Sequence, residues 1–385
     1  MSNKFILYIA PFSFPDGGAA ARRVYGNCLT LKAAGYDVAV ASAQIGEYKT
    51  SYNGIDVYSL NERKFESLPR YLKHFLYFNA GSKAIQFLDS LDVKPTAIIL
   101  YSGYSPYLIK LRLWCNKNKV KLIFDAVEWY DPPNVFAKYC SPYYLNIELA
   151  MRYLLPKCDG LIVISRYLKE YYQSRGVDLV LMPPTIDISS VLPRLDGNKS
   201  DFVKVCYAGS IGIKKDFLAD IIQAIYQINE AGSRVQLHIA GLSFTDLQDK
   251  GFLQGLNPTK VKEIIYAYGM LSHKDSLDLV KNSDFSIVFR PPFRNVQAGF
   301  PTKFVESMSL GTPVIGNFFS DLELYLVDNV NGIVCNDYTI SSLKNALLRC
   351  SELENLSELR KNARLTAEKH FDCLKYSNQL SDILN

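Results

Sequence analysis

A lysine and a glutamate three residues apart, Lys303 and Glu306, open the chemical reading of this chain. They lie in Gly299-Phe300-Pro301-Thr302-Lys303-Phe304-Val305-Glu306, where the proline marks the first turn of a helix. A cation in a first turn opposes the helix dipole, so Lys303 calls for an anionic partner. A lysine on a phosphate and a glutamate accepting from a ribose diol would suit a sugar nucleotide. Spacing alone describes an ordinary Lys–Glu helix pair equally well. Arg290 stands upstream, on the loop after an apolar run ending at Phe289.

Two glycine-bearing turns could also approach a ligand. In Tyr207-Ala208-Gly209-Ser210-Ile211-Gly212-Ile213-Lys214-Lys215, glycines keep the exit of a strand open and two lysines follow within reach of a phosphate. In Pro15-Asp16-Gly17-Gly18-Ala19-Ala20, small residues let backbone N–H groups meet a ligand at the start of a helix. A tight strand-to-helix turn is the plain alternative. That turn is not G-x-G-x-x-G, so it supports no dinucleotide fingerprint. Asp125 and Glu128 sit at the exit of another apolar run, where a carboxylate could serve as an acceptor-side base. Alternatively, Asp125 caps a turn and Glu128 pairs with a nearby cation.

The elements that must position these residues follow from the apolar pattern. Phe5–Ala10, Val38–Ser42, Ala97–Ser102, Lys121–Asp125 and Leu161–Ser165 read as buried strands, with Leu179–Met182 closing the first half. Val203–Ala208, Val235–Ala240, Ile264–Tyr268, Phe285–Phe289 and Pro313–Ile315 repeat the grammar. Strands alternating with helical spacing predict an α/β fold of two Rossmann-like parallel-sheet domains. Pro183-Pro184 and the polar stretch to Asp201 mark the hinge. Two such domains would face each other across a cleft, with the carboxyl ends of both sheets pointing into it.

Composition narrows the class. The chain has 385 residues, 48% hydrophobic and 21% charged, which suits two cored domains and excludes a disordered chain. No window approaches the apolar length of a membrane span. The eight cysteines form no C-x-x-C pair and read as reduced thiols in a cytoplasmic protein. The four histidines are scattered, and no metal site is expected. Charge is uneven: residues 1–185 hold 22 Lys+Arg against 15 Asp+Glu, while residues 186–385 hold 21 against 23. Basic residues interleave with aromatics over 61–87, and residues 107–121 carry five cations and no acid. Such stretches suit an anionic leaflet better than nucleic acid, whose motifs are missing. A solvated face above core aromatics is the alternative.

The run Gly299-Phe300-Pro301-x-Lys303-x-x-Glu306-Ser307, continued by Gly311-Thr312-Pro313-Val314-Ile315, resembles the donor-binding motif of family 4 glycosyltransferases, which have the GT-B fold. Pro15–Ala20, Leu161–Ser165, Pro183–Asp187 and Gly209–Lys215 resemble further family segments in the same order. The resemblance implies retaining transfer of a sugar from a UDP- or GDP-type donor to a glycan or polyprenyl-diphosphate-linked acceptor, in polysaccharide biosynthesis. It implies a metal-independent enzyme without a cofactor, cytoplasmic or peripheral on the inner membrane face. Residues 1–183 would bind acceptor, through Gly17, Gly18, Asp125 and Glu128, with the helix 366–385 packing back on them. Residues 184–365 would bind donor.

By the same resemblance Glu306 matches the ribose glutamate, and Lys215 or Lys214 matches the diphosphate lysine. Lys303 and Arg290 add charge where the usual arginine is Ser210. Gly299, Phe300 and Thr302 lie by the transferred sugar and its phosphate. The glutamate that many members carry eight residues before Glu306 is Ala298 here, beside Gln297. That departure leaves a non-catalytic nucleotide-sugar-binding subunit open. A nucleotide-sugar 2-epimerase is a further alternative, although no histidine arrangement supports it.

Overall fold

The computed structural model describes residues 4–63, 79–132, 134–197, 201–209 and 217–385. They divide into two compact units: Met1–Asp187 with Ala298–Phe300 and Cys373–Asn385, and Ile188–Gln297 with Pro301–Asp372. The terminal segment of the first unit therefore begins at Cys373. The preceding helix, Leu356–His370, lies in the second unit.

The first unit is built on an eight-stranded sheet: β1 (Phe5–Ala10), β2 (Asp37–Ser42), β3 (Glu47–Tyr52), β4 (Ile55–Leu60), β5 (Ala97–Tyr101), β6 (Lys121–Ala126), β7 (Gly160–Val163) and β8 (Leu179–Leu181). Its order is β3-β4-β2-β1-β5-β6-β7-β8. The central strands are continuous apolar runs because helices cover both faces; Ile6, Leu7 and Tyr8 are fully buried. The edge departs from the expected parallel sheet. β3 pairs antiparallel with β4 through a turn at Asn53-Gly54, both at positive φ. Its residues are almost all exposed, and Glu47 and Lys49 guard an otherwise open edge. The C-terminal helix Ser377–Leu384 adds Leu380 and Leu384 to this core. The segment is pinned where Thr30 Oγ1 donates to Cys373 O at 2.9 Å.

The second unit has seven strands: β9 (Val203–Ala208), β10 (Val235–Ala240), β11 (Leu242–Ser243), β12 (Ile265–Gly269), β13 (Phe285–Val288), β14 (Val314–Asn317) and β15 (Gly332–Cys335). The order is β11-β12-β10-β9-β13-β14-β15, parallel except for the short β11. Ile222, Ile225, Leu237, Ile239, Ile287 and Leu347 are among its fully buried core. The eight cysteines are unpaired.

His238 on β10 is the buried histidine of this unit. Its ring stacks on Tyr266 at 4.9 Å, and Nδ1 lies 2.8 Å from the Tyr268 hydroxyl. Burial, then repulsion from Lys204, pushes its pKa down to about 4. The unfolded chain, with a histidine near 6.5, takes up that proton more readily than the fold does. The stability tied to neutral His238 is therefore whole above pH 6.5 and drains away as pH falls toward 4. Urea unfolding should show a loss of about 2 kcal/mol between pH 7 and pH 5 that His238→Phe removes. An unchanged acid slope in the variant would contradict this.

Candidate functional site

The helix Thr302–Ser309 carries both Lys303 and Glu306. Pro301 caps it, with φ −76° and ψ 108°, and Thr302 is its half-buried first residue. Phe304, Val305 and Met308 are buried on its inner side, so the helix cannot roll without exposing them. Its far end is held by two arginines from the helix Leu356–His370. Arg360 is fully buried and donates to Gly311 O at 3.3 Å and Ser283 O at 2.7 Å, with Asp284 Oδ1 at 3.5 Å. Burial, then repulsion from Arg194, lowers its pKa to about 10, while Asp284 opposes the fall. Arg364 donates to Ser309 O at 2.6 Å, and to Val191 O and Ile188 O at 3.0 Å. Cations at the C-terminal carbonyls of a helix complement its dipole.

At the near end, Lys303 Nζ lies 4.0 Å from the centre of the ring of Tyr207, the next-to-last residue of β9. Gly209 follows with φ +130°, a conformation glycine tolerates. A Cβ there would sit 3.6 Å from Lys303 Cε, an ordinary contact, so the position is constrained by its φ and not by the lysine. Glu306, with 14% of its side chain exposed, accepts from His273 Nε2 at 3.1 Å.

Arg290 is held by its backbone. Its N–H donates to Asn317 Oδ1 at 3.0 Å, and Asn317 Nδ2 donates back to Arg290 O at 2.8 Å. Its guanidinium lies 5.7 Å from the Phe319 ring. Gln297, beside the missing carboxylate, is occupied: its Oε1 accepts from Ser320 N at 2.7 Å. Ala298 is fully buried. Gly299 and Phe300 are buried and belong to the first unit. Ser210, Lys214 and Lys215 lie outside the described residues, as does most of the 61–87 stretch. His273 and Asn317 were not singled out by sequence reasoning. One was a lone histidine, and the other gave no signal beyond the end of a strand.

In the first unit Gly17 precedes the helix Gly18–Ala33, where a Cβ would sit 2.1 Å from Ser13 O. Gly18 has φ +65°. The strand ends nearby line a pocket of about 400 Å³ with Phe12, Ala19, Ala20, Tyr101, Ser102 and Glu128. Glu128 therefore borders open space. Asp125 does not. It is fully buried, and Arg23 grips both its oxygens at 2.8–3.1 Å. Asn27 and the Tyr8 hydroxyl donate to Oδ2 at 3.0 and 2.5 Å. Burial, then the Asp125 charge, holds the Tyr8 phenol well above its ordinary pKa. The acceptor-side reading of Asp125 is corrected: it is the centre of a structural network, since a base needs a route to substrate.

Among the described residues no group of three His, Cys, Asp or Glu could hold a metal ion. None of the described helices is long and apolar enough to cross a membrane.

Residues 195–370 match the family model of glycosyl transferases group 1. An uncharacterized glycosyltransferase of Methanocaldococcus jannaschii is 19% identical over 361 residues, covering 88% of this chain and 87% of that protein. Sucrose-phosphate synthase from Thermosynechococcus elongatus superposes with a TM-score of 0.75 at 16% identity, over 99% of this chain and 98% of that one. Anabaena HepE, solved with UDP and glucose, superposes with a TM-score of 0.64 at 15% identity, over 99% of each chain. The chain has the GT-B fold.

Arg360→Ala should strip the end of the Lys303–Glu306 helix and leave its carbonyls unmet. Urea denaturation should show a loss of roughly 3–5 kcal/mol in the unfolding of the second unit. A loss below about 1 kcal/mol would mean that the helix is held by its apolar face alone.

Proposed function

We propose that this GT-B protein, whose second domain is a group 1 glycosyl transferase domain, moves a sugar from a nucleotide-sugar donor to a glycan or lipid-linked acceptor with retention of configuration, in polysaccharide biosynthesis. The observation that carries the reading is one anchored helix, Thr302–Ser309, presenting Lys303 beside the end of β9 and Glu306 one turn further on. The bond from the anomeric carbon to the diphosphate breaks, and one to the acceptor oxygen forms on the same face of the sugar. The acceptor proton passes to a phosphate oxygen of the leaving group. Negative charge grows on the diphosphate, where Lys303, Lys215 or Lys214, Arg290 and helix N–H groups would meet it without a metal. Glu306 would accept from the ribose diol. HepE binds UDP, which favours a UDP-type donor here.

A panel of UDP- and GDP-sugars, read by mass spectrometry for hydrolysis or transfer, tests the reading. One donor should turn over. Lys303→Met should lower its kcat by about 10²–10³, and Glu306→Ala should weaken nucleotide affinity roughly 10–100-fold. No turnover with any donor, together with unchanged affinity in Glu306→Ala, would sink the reading. A second reading, a donor-binding subunit without catalysis, draws on Ala298, where many family members carry a carboxylate. Tight donor binding without transfer in the presence of the true acceptor would favour it.

A lipid-linked acceptor would draw the protein to the inner face of the cell membrane. Support comes from the first unit, where Leu113, Val135, Phe136, Tyr139 and Tyr153 are each more than 60% exposed. Lys138 and Lys157 are exposed near them in sequence, and Arg112 lies on the same helix as Leu113. Aromatic and basic side chains together suit an anionic lipid surface. Vesicles of phosphatidylglycerol should pull the protein down, vesicles of phosphatidylcholine should not, and Phe136→Ser with Tyr139→Ser should reduce binding severalfold. Equal recovery with both lipids would contradict membrane docking.

A further inference from the structure

Glu306 does not hang alone from its helix. His273 opens the helix His273–Asn282, and Ser272 caps that helix by accepting from Asp275 N at 3.1 Å. The helix is tied to the turn after Thr302–Ser309, since Thr312 Oγ1 donates to Val280 O at 3.0 Å. The two helices therefore have a fixed relation within the second unit. At their rim His273 Nε2 donates to Glu306 Oε1 at 3.1 Å. An ionised carboxylate only accepts, so the proton of this bond belongs to the imidazole.

The pair is a poor stability device. Half of the His273 side chain is exposed, and a side-chain contact at that degree of exposure contributes little to folding. Its effect falls on geometry. A glutamate has three rotatable bonds, and freezing them as a ligand arrives opposes binding. A bond already made to Oε1 removes that cost beforehand. A carboxylate has about four acceptor sites, and the imidazole at Oε1 takes one of them.

We propose that His273 is a positioning residue: it holds the Glu306 carboxylate in the orientation that receives the donor's ribose hydroxyls, and so sets the preference for ribo- over 2′-deoxyribonucleotides. The inference rests on the Glu306–ribose reading given above.

Calorimetry with UDP and 2′-deoxy-UDP on the full chain tests it, repeated with GDP and 2′-deoxy-GDP. The wild type should prefer the ribonucleotide. His273→Ala should cut that preference by about tenfold, the effect of one orienting hydrogen bond to a charged group. His273→Gln, whose amide nitrogen reaches a similar position, should restore part of it. Thermal unfolding should stay unchanged in both variants. A preference kept intact in His273→Ala would overturn the inference and leave the Glu306 reading standing. Equal weakening of both nucleotides would also overturn it, since it would mean contact away from the 2′-hydroxyl. A wild type that binds nucleotide with no ribose preference, or binds none, would overturn the Glu306 reading and this inference with it.

Discussion

A buried arginine sets the geometry of the second unit. Arg360 has no exposed surface, and its guanidinium bridges Gly311 O and Ser283 O. Desolvating that charge is costly, and the carbonyls and Asp284 offset the cost only where they now stand. One neighbour ends the turn after Thr302–Ser309; another precedes β13. The position of the helix relative to its sheet is fixed by a charge that has nowhere else to go. Arg364 repeats the arrangement one turn later, at Ser309 O. A carboxylate and an ammonium placed on such a helix keep their positions without a ligand, as preorganised electrostatics require.

The first unit solves a similar problem with the opposite outcome. Arg23, Asp125, Asn27 and Tyr8 form a closed network at the carboxyl end of the sheet. The Arg23, Asn27 and Tyr8 donors all find acceptors inside the protein, which rigidifies that end of the sheet. An acidic residue at a strand exit has two possible roles, and sequence does not say which. Asp125 and Glu128 stand three residues apart; the first is sealed and the second borders a pocket.

The fold was legible wherever burial wrote itself as an apolar run. β1, β9 and β10 have the bounds expected of them, because a strand covered on both faces has no reason to alternate. β3 was illegible because an edge strand is polar by necessity; Glu47-Tyr48-Lys49-Thr50-Ser51-Tyr52 reads as a loop, and Asn53-Gly54 was its one signal. The helix of Lys303 and Glu306 was legible through its proline and its spacing. His273 was not, since its meaning comes from a partner 33 residues away. Asn317 was not either: its bonds to the Arg290 backbone join the ends of two neighbouring strands.

On this reading a donor meets two prepared contacts from one helix of the second unit. The most direct measurement is a crystal structure with UDP bound. The account predicts the diphosphate within hydrogen-bond distance of Lys303 Nζ and the ribose hydroxyls on the Glu306 carboxylate. A nucleotide bound elsewhere, or one whose ribose hydroxyls do not reach the Glu306 carboxylate, would contradict it.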